Sequence, residues 1–434
     1  MWPTEYYWHS PCCLISEGLF FFRNICMTNI ILFDNDRRDE FLPLTFTRPT
    51  CELRVGLFTI AEKWSLWLKG HISYITQEYL SEKYPISIAE ENFVINGSVM
   101  PNEQLVRLIQ QLEFNEALMK GEELIAVRLE EDQFERLMEN DDLDELIGYQ
   151  LTETPLQQLK SLPDIFQLNG DQISTDFHKI TELRKGAPIP DNVTAVKPSN
   201  IFIEKSAVLD PGTILNASEG PIYIGRNAKV MEGCLIRGPF SLGENSVLKM
   251  GAKMYSGTSI GPYSKVGGEV NNSVIIGYSN KAHDGFLGNA VIGEWCNIGA
   301  DSNNSNLKNN YKDIKIWNYP QKRFVDTGTQ FCGLFMGDHS KCGINTMFNT
   351  GTVVGVHANI FGEGFPRNFI PSFSWGGKKQ WITHQWEKAM ETAQLMMERR
   401  GQELGKEEKD LHRHIFEWTS DYRTWEKSPS GKSS

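Results

Sequence analysis

One histidine stands in a run that could carry chemistry: Lys281-Ala282-His283-Asp284-Gly285-Phe286-Leu287-Gly288. An imidazole exchanges its proton near neutrality, which suits a general base. Taken alone, such a histidine also reads as a corner residue satisfied by a backbone carbonyl, so its flanks must decide. Far upstream, Arg48, Arg54 and Lys63 are cations able to hold phosphate oxygens. Each read singly is also an ordinary solvated charge. His339 and His357 fall in turns of a repeat and read as structural. The eight cysteines form no CxxC pair and no Cys/His ligand spacing. They read as small buried hydrophobes of a reducing, cytoplasmic compartment.

The element that must position His283 announces itself by a period of six. Ile224, Val230, Ile236, Leu242, Leu248, Met254, Ile260 and Val266 are evenly spaced, and Met336, Cys342, Phe348, Val354 and Ile360 form a second run. A helix repeats every 3.6 residues and an ordinary strand every two, so neither gives this spacing. Three six-residue segments make one triangular coil. One aliphatic per segment points inward, a small residue fits beside it, and Gly or Asn takes the tight corner. The stretch from 201 to 375 therefore reads as a left-handed parallel β-helix. The Asn-rich stretch Asp301–Asn310 interrupts it, and such insertions often build a solenoid's site.

Residues 27–185 alternate strand and helix patterns, which predicts a Rossmann-like α/β domain with a mainly parallel sheet. Ile30–Phe33, Phe93–Ile95 and Leu124–Leu129 read as strands. Thr59–Lys69, Pro101–Met119 and most of Gln133–Leu151 read as helices. Ligands in such a domain sit beyond the carboxyl ends of the strands. Residues 186–200, punctuated by proline, read as a linker, 376–426 as a helical segment, and 427–434 as a disordered tail. The strand pattern begins just after Met27, so residues 1–26 read as an extension foreign to the native protein.

The hexapeptide run, with Lys281–Gly288 and Asn297-Ile298-Gly299-Ala300, resembles the acetyltransferase half of the bifunctional N-acetylglucosamine-1-phosphate uridyltransferase / glucosamine-1-phosphate acetyltransferase family. Phe41-Leu42-Pro43-Leu44-Thr45-Phe46-Thr47-Arg48-Pro49 and Gly277–Gly285 resemble a divergent bacterial branch of it, the sugar nucleotidyltransferases. That resemblance implies a general base at His283, which would free an amino group to attack acetyl-CoA. It implies sugar and acetyl contacts at Asn297 and Asn306, an aromatic contact at Phe286, and a phosphate contact near Lys249. It also implies a homotrimer with the site between subunits. For the N-terminal domain it implies a nucleotide and Mg²⁺. Yet the first strand runs into Asp34-Asn35-Asp36 with no glycine, and Ser98 follows Asn96-Gly97 where the family places an aspartate. Asp171, after Asn169-Gly170, is the remaining metal candidate.

A net charge of −12 argues against sequence-independent nucleic-acid binding, though not against a local phosphate site. No stretch is long and apolar enough to span a bilayer. Two rivals stay open beside the transferase: a nucleotidyltransferase whose coil is purely structural, and a non-catalytic trimer that binds sugar nucleotides.

Overall fold

The structure, a computed structural model, describes residues 28–138 and 146–426. The expected extension (1–26) and tail (427–434) lie outside the described residues, as does part of the helix expected over Gln133–Leu151.

The N-terminal sheet has six strands in the order 70–75, 28–33, 91–96, 123–130, 116–120, 147–150. The first three are parallel, and Glu123–Glu130 runs against Glu91–Asn96. The sheet is thus mixed rather than mainly parallel. The cause is local: strands 116–120 and 123–130 are joined by two residues, and so short a link closes only an antiparallel hairpin. This hairpin replaces the second half of the helix expected over Pro101–Met119. Helix α1 (Ile60–Leu68) opens with a capping box, Glu62 N donating to Thr59 Oγ1 and Thr59 N to the Glu62 carboxylate. Helix α2 (Glu103–Gln111) is capped by Asn102, so Pro101 sits just ahead of the cap. Helix α3 (Glu131–Met138), short α4 (Asp164–Gln167) and α5 (Asn169–Thr181) complete the domain.

The expected coil follows, with three faces whose strands are parallel except the last of the second face, Trp381–Thr383, which pairs antiparallel with Ser374–Gly376. The first face has nine strands, from 201–203 to 369–370; the second has ten, from 208–209 to 381–383; the third has six, from 194–196 to 286–288. Partners such as Ile222, Phe240 and Thr258 lie 18 residues apart, one full turn of three hexapeptides. Thr194–Val196 already pairs with Ile214–Asn216, so the coil begins inside the stretch read as a linker. Proline spacing hid that strand.

Two different constraints shape each corner. The glycine after the inward aliphatic is required by close approach, not by its dihedral angles. A Cβ on Gly261 would lie 1.8 Å from the Ile276 carbonyl oxygen on the next turn. The left-handed corner comes two residues after that glycine at Asn227, Asn245, Tyr263, Trp295, His339 and His357, and the same corner is taken by Tyr278 and Phe373. From Tyr263 onward these corner side chains stack turn on turn into one ladder.

The three parts share one apolar core. Ile30, Phe41 and Trp64 of the first domain, Ile276, Phe335 and Val353 on the coil's outer first face, and Met390 and Ile415 of the C-terminal segment belong to a single buried cluster. That segment opens with a strand, Trp381–Thr383, and continues as α6 (Trp386–Glu398) and α7 (Lys406–Trp418). Helix α7 reaches back to the first domain, where His414 stacks on Tyr79 and Trp418 packs on Phe46.

Candidate functional site

His283 stands exposed on the edge between the second and third faces. Among the described residues its ring has no hydrogen-bond partner, so it is not the satisfied corner histidine of the bland reading. Its backbone carbonyl is held instead: Lys281 Nζ donates to it at 2.8 Å and to Gly267 O at 3.0 Å. Lys281 occupies an inward position, beside Val266 on the neighbouring turn, and burial pushes its amine down to about 8.

The coil distributes the other expected residues around this edge. The half-buried Lys249 shares it, its Cβ lying 3.1 Å from where a side chain on Gly267 would begin. Phe286 and Asn306 come together on the third face, both crowding Gly288. Asn306 donates to Asn289, and Phe286 N donates to Asn303. Asn297 lies on the second face, bonded by Asn280 at 2.8 Å.

Asn297 opens onto a feature that sequence reasoning missed. With Lys265, Tyr278, Trp295, Lys341 and Arg400 it lines a cleft of about 570 Å³ between the second face and α6. No carboxylate lines this cleft. Burial and then the neighbouring cations Arg400, Lys249 and Arg399 push Lys265 down, and burial pushes Lys341 down to about 8. Tyr278 and Trp295 stack with centroids 4.4 Å apart. Concentrated positive charge beside aromatic faces is chemistry for an anion that also carries a ring. The signal was present in Arg399-Arg400, but only tertiary packing brings that pair to Lys265.

The three cations expected at a phosphate are committed elsewhere, which corrects that assignment. Arg48 is buried and paired with Asp338 and Glu294 of the coil. Arg54 donates to the carbonyls of Ile276 and Leu57. Lys63 is buried against Asp176 and Gln172. All three fasten elements together, and none presents a free charge. Asp171 is exposed in the first turn of α5, and Asn169, two residues before it, accepts from Gly56 N and donates to Gly257 O across the domain junction. The Asn-rich insertion packs against the chain beside His283, with Asp301 N donating to Asp284 O at 3.0 Å, and it also joins parts. It leads into a hairpin, 315–318 with 323–326, that stacks Trp317 on Phe369 and sets Tyr319 against Phe46.

At the carboxyl ends of the first domain's strands lies a polar network, where ligands of such sheets bind. Glu123 accepts from Asn35 at 2.9 Å, from Asn96 at 3.1 Å and from Gln158 at 2.6 Å, and Ser98 donates to Asn96 at 2.7 Å. Asp34 turns inward to Thr50 N and Thr76, so the glycine-free loop is held by its own chain. Glu123 places a carboxylate in this network, from a strand that sequence reasoning left out of the site.

Residues 30–185 match the family model for sugar nucleotidyl transferases. The N-terminal domain is similar to that family. Over 93 residues the chain is 36% identical to the bifunctional sugar-1-phosphate nucleotidylyltransferase/acetyltransferase of Sulfurisphaera tokodaii, covering 21% of this chain and 23% of that protein. It is 30% identical over 167 residues to the bifunctional protein GlmU of Alkaliphilus metalliredigens, covering 33% and 36%. The chain thus spans about a quarter to a third of the length of these two relatives. An uncharacterized acetyltransferase, YaiX of Escherichia coli, is 22% identical over 223 residues, half of this chain and 96% of its own. The family and these relatives are transferases. No helix of the described residues is long and apolar enough to cross a membrane.

Proposed function

We propose that the coil acetylates the amino group of an amino-sugar 1-phosphate, with acetyl-CoA as donor and His283 as general base. The exposed, unpartnered ring of His283 at a coil edge carries this reading. The amine nitrogen attacks the thioester carbonyl while His283 accepts its proton. Coenzyme A leaves as the thiolate and takes up a proton. The cationic cleft suits the phosphates and adenine of the donor, with Asn297 at its margin. Phe286, Asn306 and Lys249 flank the acceptor, and a neighbouring copy in a trimer closes the site over it.

The N-terminal domain, on this reading, binds a nucleotide or nucleotide sugar at the Glu123 network. Mg²⁺-dependent turnover has thinner support, since Ser98 adds no charge for a hard cation. Binding without turnover is the second reading for this half.

Two assays test the proposal. Release of free thiol from acetyl-CoA in the presence of glucosamine 1-phosphate should fall at least about a hundredfold in His283→Ala. A variant as fast as the native protein removes His283 as base. Calorimetry with UTP and dTTP, with and without Mg²⁺, beside a pyrophosphate-release assay, separates binding from turnover in the first domain.

A further inference from the structure

The corner ladder contains two histidines in succession, and the C-terminal segment brings a third. His339 and His357 occupy the same left-handed corner on successive turns, stacked at 4.7 Å and within 9° of parallel. His412 projects from α7 and meets both rings edge-on, at 89° to His339 and 81° to His357. All three are buried. One ring nitrogen from each lies within 4.8 Å of the others. His357 Nε2 and His412 Nδ1 are 3.3 Å apart.

Two features set this cluster apart from a packed aromatic stack. His339 Nδ1 is buried without a hydrogen-bond partner, which native interiors rarely tolerate. And two nitrogens bound to one tetrahedral ion at about 2.05 Å stand about 3.3 Å apart, the separation already present between His357 and His412. The neighbouring charges are accounted for. Asp338 pairs with Arg48, Glu408 with Lys83, and Lys341 Nζ donates to His339 O.

We propose that His339, His357 and His412 bind one divalent transition-metal ion of the zinc class, with water in the fourth position. Borderline metals of this class favour imidazole ligands, whereas Mg²⁺ and Ca²⁺ favour oxygen. The ion is structural. It draws three side chains from two turns of the coil and from α7 onto one centre, and so clamps the C-terminal helix over the ladder. The site is separate from His283 and from the sugar-nucleotide domain.

The test uses the full chain without a polyhistidine tag, stripped with a chelator and titrated with Co²⁺. One equivalent should bind, with the visible absorption bands of a low-coordinate site, and Zn²⁺ should displace it. His412→Gln should lose the bands and weaken binding by about a hundredfold or more, while its far-ultraviolet circular dichroism stays native. Zn²⁺ should raise the melting temperature of the stripped native protein and leave that of His412→Gln unchanged. Stripped native protein that takes up no stoichiometric cobalt overturns the proposal, whatever the variants do. So does a folded His412→Gln that binds as tightly as the native chain.

Discussion

Lys281 reaches through the coil interior to donate to the carbonyl of His283, 2.8 Å away. A charged amine inside a column of aliphatics is costly, and its burial pushes Lys281 down to about 8. In the unfolded chain it would titrate near 10.4. Between those values the unfolded state holds the extra proton, so stability rises with pH through this window and is lost as pH falls through 8. Comparing urea denaturation of Lys281→Met with the native protein isolates this group from other titrations. The variant's advantage at pH 7 should exceed that at pH 10 by about 2–3 kcal/mol. A difference that does not change with pH contradicts the assignment.

Asp338 carries the junction between the first domain and the coil. It receives Arg48 and Thr47 from one side and caps Glu294 N at 2.8 Å on the other. Asp338→Ala leaves the buried guanidinium with only the longer contact to Glu294 and should cost about 3 kcal/mol, seen as a large drop in melting temperature. Pairing it with Arg48→Met should recover much of that loss. No recovery would mean that Thr47 and Glu294, not the ion pair, set the cost.

The cationic cleft makes its own prediction. Arg400→Ala and Lys265→Ala should each weaken coenzyme A binding about tenfold and flatten its dependence on salt. Calorimetry at two ionic strengths reads both effects. Unchanged affinity in both variants places the donor elsewhere.

Gly261 and Gly251 separate the two reasons for glycine in this coil. A Cβ on Gly261 meets the Ile276 carbonyl at 1.8 Å, whereas Gly251 has φ +68° and nothing within 4 Å. Gly261→Ala should cost about 3 kcal/mol or more through overpacking, and Gly251→Ala about 1 kcal/mol through backbone strain. Equal losses in denaturation experiments would contradict this division.

The coil was legible because its interior imposes a period of six on the aliphatics, from Ile224 to Val266. The boundary at Thr194 was not, because a first turn amid prolines carries too few inward positions to repeat. His283 stood out by its neighbours, and the structure leaves it free. Arg48 and Lys63 misled because a charge buried in an ion pair and a charge awaiting phosphate look alike in a sequence. Their partners, Asp338 and Asp176, lie 290 and 113 residues away. The histidine ladder was hidden for a related reason. His339 and His357 are 18 residues apart, one turn, and the hexapeptide period does not say which corner a residue occupies.

The single core that joins the first domain, the coil and α7 has a consequence during synthesis. Lys83 and Glu408 bond at 2.6 Å across 325 residues of sequence. At about 5–20 residues per second, the ribosome needs tens of seconds to make that interval. Through that delay the patch around Phe46 and Tyr79 waits for the helix that covers it, a long interval in which a chaperone could hold the nascent chain.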